Sequence, residues 1–559
     1  MRRRFGVLIR EPLFIVLSIY FLSIIFVNPL GEFTVNDDWI FSRQILAFRL
    51  GLWKMSSLMD PIFITQGLLG FLWSLVFGYS HTSLRILTLL VTALSAVGLY
   101  KITQIFSLKK LPTVFVLITY LFNPLVYTSA FTFMTENYFL LFFIWNLYFY
   151  LKFIRSGNFR DLIIGTVFCA LATLVRQVGV FSFIVLFIFG PKKVFRLDVF
   201  ATMFFAFAAF LLFPRYPISP ELEGLSVFSN SFSNIANFSA IVGKLPFFLF
   251  IFPYMGFFIL PLLFLFERTT FFKHKFWILV KITIVLFVAY KILEFDVFPI
   301  GSVLYLEGLH LKSWPFSNFS IFDNLFFKSV VSLLTAFSTL YLMEFLVKRF
   351  RKFSVESKFL LFVALLNFFI LIFSGAFYDR YLLPGFVSVL ILFTINHDFS
   401  NRRGIAPIFL AGILFMSVSL QSNFMSITRL SWKQAAHVSA KYDITTDIFI
   451  LGLYRRYMHA VSTEDFIGYD KFPAGDYKCY VQPYTMDTDS KMLSFLLKLE
   501  SLAEDKIMDN PSIYDGRKPD GLPRVKKHLN ELEQNDEYFS LLYNLVGKKA
   551  YVGSFCVFD

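Results

Sequence analysis

The sequence has little charge, cysteine or histidine. Only 16% of its 559 residues are Asp, Glu, Lys or Arg, against about 25% in soluble domains. Its three cysteines and seven histidines lack the spacing of a zinc site. Walker A, GxGxxG, GxSxG and HExxH motifs are also absent. These absences argue against nucleotide hydrolysis, structural zinc and the common soluble hydrolase chemistries.

Hydrophobic side chains dominate instead. They make up 57% of the chain, aromatic residues make up 20%, and the mean hydropathy is +0.65. This composition predicts an α-helical polytopic membrane protein. The net charge of +14 comes in short clusters between apolar stretches rather than in one basic stripe, so we expect membrane lipids and no nucleic acid as partners.

The basic clusters indicate the topology. The positive-inside rule places them in the cytoplasm, and one arrangement of about thirteen spans puts every cluster there. The N-terminus is then cytoplasmic, and the first span is a signal anchor because its apolar run has span length and no cleavage site. The stretch 61–77 must lie as a helix at the outer interface. The predicted spans are 12–30, 83–101, 111–127, 134–152, 161–175, 178–191, 197–213, 245–266, 276–293, 325–346, 358–377, 383–397 and 405–421.

The composition changes after Gln421, where Lys, Asp, Glu, Tyr and Gly replace Phe and Leu. We therefore divide the chain into a transmembrane catalytic domain, 1–421, and a small extracytoplasmic α/β domain, 422–559. The second domain has predicted helices at 491–504 and 523–532 and predicted strands at 477–482 and 550–558. Cys479 and Cys556 lie on these strands, where a disulfide and two free thiols are equally compatible with the pattern.

Two adjacent carboxylates, Asp37 and Asp38, follow the first span and precede Trp39. Charged side chains at this depth are costly and commonly functional. In the purely structural alternative, Asp37 caps a helix that begins near Trp39. A cap accounts for one carboxylate, whereas two carboxylates on an outer loop could bind a substrate hydroxyl and accept its proton.

Further charged residues lie at the predicted outer ends of other spans. Glu136 enters an apolar span and is either a helix-dipole acid or a second catalytic carboxylate. Arg176 and Arg380 interrupt apolar sequence, the latter followed by Tyr381. A guanidinium at this boundary can snorkel or pair with Asp379, or it can bind a phosphate, whose oxygens match its forked donors.

These motifs occur in an order that resembles bacterial membrane glycosyltransferases of the GT-C class. The sequence is similar to the branch with protein O-mannosyltransferases, lipid A aminoarabinose transferases and rhizobial lipopolysaccharide galacturonosyltransferases. The resemblance extends over about residues 10–400 and rests on the acid pair after the first span, FMTEN (133–137), TLVRQVGV (173–180), a Pro-Gly-Leu loop (299–310) and RYLLPG (380–385).

The resemblance implies a GT-C fold in a bacterial membrane and an inverting transfer from a polyprenyl-phosphate sugar. It also implies that the first-loop acid is the catalytic base. We favour Asp37 as the base and Asp38 as its support, and the reverse order is the alternative. The family usually has Asp where this chain has Glu136, and its phosphate-facing positions correspond to Arg176, Arg380 and Tyr381. His310 receives no role.

The sequence thus predicts a glycosyltransferase that acts on a lipid, glycan or protein acceptor at the outer face of the membrane. The alternative is a transporter or flippase of a lipid-linked saccharide. Transporters place ionisable groups near mid-membrane on broken helices, whereas these acids lie at span ends. No cofactor is expected; two carboxylates can hold a divalent metal or act without one, and we favour the metal-free reaction.

Overall fold

The protein is built from α-helices that follow the predicted spans in order. A computed structural model describes residues 11–35, 38–55, 62–190, 197–212, 238–263, 265, 275–294, 304–305, 308–309, 325–372, 378–397, 406–442, 448–449, 479–485, 533–535 and 550–556. Apolar stretches of this length form helices because a backbone in hydrocarbon must satisfy its N–H and C=O groups internally. Each predicted span coincides with a helix or a pair of helices.

The helices are α1 (Pro12–Val27), α2 (Asp38–Arg49), α3 (Ile64–Phe77), α4 (His81–Ile105), α5 (Lys110–Leu121), α6 (Pro124–Ala130), α7 (Thr135–Ser156), α8 (Phe159–Thr173), α9 (Phe181–Phe189), α10 (Leu197–Leu212), α11 (Phe238–Leu263), α12 (Lys275–Glu294), α13 (Leu325–Arg349), α14 (Val355–Phe369), α15 (Leu383–Ile395) and α16 (Ala406–Tyr442). Short 3-10 turns, Gln177–Val180 and Asp379–Leu382, precede α9 and α15.

Within the residues that the structure describes, four of these helices are long and apolar enough to cross a membrane, judged by length and composition. They are α4, α7, α13 with the 3-10 turn that follows it, and α16 from Ala406 to His437; the bent pair α5 and α6 makes a fifth if it is one span. Other apolar helices, such as Pro12–Val27 and Gln177–Phe189, are shorter. A helical membrane protein is thus confirmed, and the number of thirteen crossings stays a prediction.

The predicted span 111–127 is bent where two helices meet. The axes of α5 and α6 differ by 61°. The side chain of Asn123 accepts the backbone N–H groups of Leu125 and Val126, and Pro124 occupies the first position of α6, where a missing N–H breaks no hydrogen bond. The Asn-Pro pair therefore ends one helix and starts the next.

Helix α3 lies in the stretch that was predicted to be an interfacial helix. It is 14 residues long, short of the ~20 residues that a span needs, and it packs on α2, the helix that follows the first loop. The backbone N–H groups of Phe63 and Thr65 donate to the carbonyls of Val175 and Leu174. This end of α3 is therefore fixed to the chain just before Arg176.

Helix α16 continues through residue 421, where the sequence division was placed. The hydroxyl groups of Ser417 and Ser422 donate to the carbonyls of Phe122 and Phe26, and Gln421 is fully buried. The polar residues at this point thus face other helices. The division into 1–421 and 422–559 stays a prediction, with α16 crossing the proposed boundary.

Two short strands, β1 (Leu304–Tyr305) and β2 (Gly308–Leu309), form an antiparallel pair between α12 and α13. The C-terminal strands form a separate sheet. Its order is β3-β4-β6-β5, from β3 (Ile448–Phe449), β4 (Cys479–Thr485), β5 (Glu533–Asn535) and β6 (Ala550–Cys556), and Cys479 lies directly opposite Cys556 in the antiparallel β4–β6 pair. Strands were predicted at both places. The predicted helices at 491–504 and 523–532 lie outside the described residues, and the disulfide stays a prediction.

Candidate active site

Asp38 is the first residue of α2 and is almost completely buried, with 1% of its surface exposed. Its Oδ1 accepts the backbone N–H of Val35 at 2.7 Å, and its Oδ2 lies 3.5 Å from the donating N–H of Phe133. The helix thus begins one residue earlier than Trp39, and Asp38 joins the first loop to the start of the FMTEN motif. Asp37 lies outside the described residues.

Glu136 forms ion pairs with both predicted arginines. Its Oε1 lies 3.4 Å from Nη2 of Arg176 and 3.3 Å from Nε of Arg380. The side chain of Glu136 is 1% exposed, and those of the arginines are 13% and 8% exposed. These three residues, which we call the ion cluster, come from three separate segments of the chain and carry two positive charges against one negative charge.

Aromatic rings complete the ion cluster. The ring of Tyr381 has its centroid 4.8 Å from the guanidinium carbon of Arg176 and 6.0 Å from that of Arg380. Tyr378 lies 4.9 Å from the Arg380 guanidinium. Cations over ring faces are attracted by the ring quadrupole, so the two tyrosines favour the charged state of the cluster and fix the planes of both guanidinium groups.

The chain reverses tightly beside Arg176. A Cβ on Gly179 would lie 2.5 Å from the backbone nitrogen of Thr173, so only glycine lets the turn after α8 approach so closely. The backbone N–H of Gly179 donates to the Arg176 carbonyl, and Arg176 itself is extended. The reversal places Arg176 beside Glu136, near the first residue of α7.

Arg380 is positioned by the 3-10 turn that precedes α15. The buried Asp379 accepts the backbone N–H of Arg380 at 2.7 Å, which stabilises the turn. Nη1 of Arg380 also contacts the sulfur of Met134 at 3.6 Å. The alternative pairing of Arg380 with Asp379 is therefore seen as a hydrogen bond from the backbone of Arg380, while the guanidinium is directed to Glu136.

The first loop and the ion cluster meet at the motif 133–137. Phe133 contacts Asp38, Met134 contacts Arg380, and Glu136 pairs with both arginines. The amide of Gln66, on α3, donates to the carbonyl of Phe133 at 3.0 Å. Helix α3 therefore holds this motif as well as the segment before Arg176.

The predicted site residues thus divide into three groups. Glu136, Arg176, Arg380 and Tyr381 lie together, Asp38 is joined to them through Phe133, and Asp37 is not described. Burial raises the pKa of Tyr381, although the nearby Arg176 and Arg380 charges act in the opposite direction. Tyr381 is therefore a neutral phenol at physiological pH, able to donate a hydrogen bond beside two cations.

Two arginines at this site were missed in the sequence. Arg85 on α4 and Arg429 on α16 donate to carbonyls of the first loop. Arg85 is a charged residue within an apolar span, and a charge beside an apolar span is also the signal that indicated Asp37 and Asp38. Arg429 lies beyond residue 421, in sequence that was assigned to the outer domain.

The two arginines of the ion cluster are suited to an anionic ligand. Within the described residues no group of three or more His, Cys, Asp or Glu side chains is placed to hold a metal. Two guanidinium groups that share one carboxylate in a largely buried place present forked donors of the kind that pair with anionic oxygens.

A known family model matches part of the chain. Residues 68–216 match the family model described as dolichyl-phosphate-mannose-protein mannosyltransferase. The match confirms the resemblance to GT-C class membrane glycosyltransferases. The matched segment includes Glu136 and Arg176, whereas Asp38 and Arg380 lie outside it. No curated protein sequence matches the chain.

Two solved structures of ArnT from Cupriavidus metallidurans also align with the protein. The apo structure has 10% sequence identity and a TM-score of 0.37 and covers 99% of this chain and 98% of that one. The structure bound to undecaprenyl phosphate has 10% identity and a TM-score of 0.36, with 97% and 96% covered. These scores are too low to transfer a fold or a ligand contact.

Proposed function

We propose that the protein transfers a sugar from a polyprenyl-phosphate donor to a lipid, glycan or protein acceptor at the outer face of the membrane, with inversion at the anomeric carbon. The observation that carries this proposal is the ion cluster, in which residues 136, 176 and 380 meet although nothing in the local sequence brings them together. The match to a family named for a dolichyl-phosphate sugar supports the same donor chemistry.

The ion cluster would bind the donor phosphate. The phosphodiester of the donor carries one negative charge and would pair with Arg176 and Arg380, since guanidinium groups bind phosphate oxygens well. The same groups would stabilise the phosphate as negative charge develops on it during departure. In this role Glu136 orients the two arginines.

The first loop would supply the base. A carboxylate there accepts the proton of the acceptor hydroxyl as its oxygen attacks the anomeric carbon, and the bond from that carbon to the phosphate oxygen breaks. The leaving group is the polyprenyl phosphate, which keeps the bonding electrons. Attack opposite to the leaving group inverts the anomeric carbon.

The contacts of Asp38 favour Asp37 as the base. Both carboxylate oxygens of Asp38 face backbone N–H groups, of Val35 and Phe133. These bonds suit a residue that fixes the loop against the motif 133–137. Asp37 would then remain for the acceptor, and Asp38 would act in support.

Substitution of the acids tests the proposal. We expect D37N to lower transfer from a radiolabelled polyprenyl-phosphate sugar by about 1,000-fold or more, since the amide cannot accept the proton. D38N should lower it less, by about 10 to 100-fold, because an amide oxygen can still accept one of the two N–H bonds. Expression and melting temperature in detergent serve as folding controls. Full activity in both variants would contradict the catalytic role of the pair.

A further inference from the structure

Residues 28–35, between α1 and the acid pair, form no helix or strand, yet arginine side chains hold the backbone of this segment. Arg85, whose side chain is fully buried, donates from Nη1 to the carbonyls of Pro29 at 3.0 Å and Gly31 at 2.9 Å, and from Nη2 to that of Phe33. The N–H donors of a buried guanidinium need hydrogen-bond acceptors. Here three neutral carbonyl groups accept hydrogen bonds from Arg85.

A second arginine reaches the same segment from the far end of the chain. Arg429 on α16 donates from Nη2 to the carbonyl of Asn28 at 2.5 Å and from Nε to that of Leu30 at 3.3 Å. The segment 28–33 therefore has five carbonyl groups bound by two cations. We call this arrangement the carbonyl clamp, consisting of Arg85, Arg429 and residues 28–33.

Phe33 lies between the two cations. Its ring centroid is 4.1 Å from the guanidinium carbon of Arg85 and 5.6 Å from that of Arg429. Both contacts are within cation–π range. The ring thus adds attraction to both sides of the clamp and fixes the direction in which the chain leaves it.

The backbone of the segment is shaped for this contact. Asn28 has a φ of 54° and Gly31 a φ of 127°, which turns successive carbonyls toward the arginines. A Cβ at Gly31 would lie 2.6 Å from the Phe33 ring. The hydroxyl of Thr82 accepts the N–H of Gly31 and lies 3.1 Å from its carbonyl, which fixes the turn to the start of α4.

Glu32 completes the attachment to α4. Its carboxylate accepts the backbone N–H groups of His81 and Thr82 at 2.9 and 3.3 Å. Burial raises the pKa of Glu32, but these two hydrogen bonds outweigh burial and bring the pKa below its usual value. The carboxylate is therefore ionised at neutral pH and caps the helix that carries Arg85.

The clamp leads directly to the catalytic loop. Two residues after Phe33, the backbone N–H of Val35 donates to Asp38, and Thr34 between them is fully buried. On the basis of the proposed function, we infer that Arg85 and Arg429 are positioning residues for sugar transfer. By clamping the carbonyls of residues 28–33, they fix where the acids of the first loop stand relative to the ion cluster.

Arg429 gives the clamp a further property. It lies on α16, which also contacts strands β4 and β6 of the C-terminal sheet. The position of the first loop is therefore linked, through one helix, to the C-terminal part of the chain. Arg429 is also more accessible than Arg85, so its substitution can be tested without emptying a buried site.

Kinetics of Arg429 variants test the positioning role. R429A should lower kcat about tenfold and leave KM for the polyprenyl-phosphate sugar within about twofold, because misplacing a base by a fraction of an ångström slows the reaction without weakening donor binding. R429K should recover part of the loss, since lysine can still donate to one of the two carbonyls. K433A, an exposed position on the same helix, is the matched control and should behave as wild type. A raised KM with unchanged kcat would overturn the proposal, because Arg429 would then bind the donor.

A thiol reporter tests the clamp without reference to activity. In a background with Cys169, Cys479 and Cys556 replaced by alanine, T34C should react slowly with a maleimide in detergent because Thr34 is buried. R429A and R85K should each raise the rate about tenfold or more, as the segment opens locally. Equal rates with and without R429A would overturn the clamp. If wild type transfers no sugar from polyprenyl phosphates, the proposed function fails while this reaction still decides whether the clamp exists.

Discussion

Two pairs of arginines lie next to the motif 133–137 or the first loop, and their partners differ. Arg176 and Arg380 share the carboxylate of Glu136, whereas Arg85 and Arg429 donate to backbone carbonyl groups. In the first pair the positive charge exceeds the negative charge of the shared partner. In the second pair the donors are used to hold a particular loop conformation.

The difference separates two uses of a buried cation. A guanidinium bound to several carbonyls gains hydrogen bonds and packing, and its substitution should release the loop. Two guanidinium groups beside one carboxylate remain attractive to an anion, and their substitution should weaken ligand binding. The partners of a buried arginine therefore distinguish a positioning role from a binding role, although all four residues look alike in the sequence.

The strongest test of this comparison is removal of the shared carboxylate. E136A would remove the carboxylate that two largely buried guanidinium groups share, and we expect it to lower the free energy of unfolding by about 3 to 5 kcal/mol. Thermal unfolding in detergent measures the loss. Added polyprenyl phosphate should restore more stability in E136A than in wild type, because the phosphate replaces the missing negative charge.

The matched control for E136A is an exposed ion pair. Lys110 and Glu11 lie 3.2 Å apart with side chains 67% and 39% exposed, and K110A should cost no more than about 1 kcal/mol. If E136A were no more destabilising than K110A, the ion cluster would not be the tightly coupled group that the comparison requires.

A smaller effect is expected at Tyr381. Y381F keeps the ring face that contacts Arg176 and removes only the hydroxyl group, so transfer activity should fall less than about threefold. Y381A removes the ring and should lower activity about tenfold, because the guanidinium plane of Arg176 is no longer held.

The pH dependence tests the protonation state of Tyr381. Because burial raises the pKa of Tyr381, the phenol stays protonated through neutral pH, and Y381F should leave the shape of the pH–rate profile below pH 9 unchanged. A titration below pH 9 that is present in wild type and lost in Y381F would contradict the neutral phenol.

The helical part of the fold could be predicted from the sequence to a large extent. Apolar runs between basic clusters coincide with the helices because the membrane leaves few alternatives for an unpaired backbone. The sequence also contains the signal for the break at Asn123-Pro124, a capping Asn followed by a Pro that starts a helix. The prediction missed the break because the apolar stretch 111–127 is continuous. The end of the last long helix was placed too early because Gln421 and Ser422 look solvent-facing and are in fact packed against other helices.

The candidate site was predicted as a set of residues and not as a set of contacts. Charge in apolar sequence pointed to Glu136, Arg176 and Arg380, since each is expensive to bury without a purpose. The contacts depend on long-range packing that no local pattern contains. Glu136 pairs with both arginines, and Asp38 faces backbone N–H groups. Arg429 was missed for the same reason, because its partners lie at the other end of the chain.

The most direct test of the account is the affinity of the protein for undecaprenyl phosphate, with K110A as a control. The account predicts that R380A weakens binding at least about tenfold at low salt, and that R176A does the same, because each removes one of the two positive charges that face the phosphate. K110A should bind as wild type. Unchanged affinity in R380A and R176A would contradict the claim that the ion cluster holds the donor phosphate.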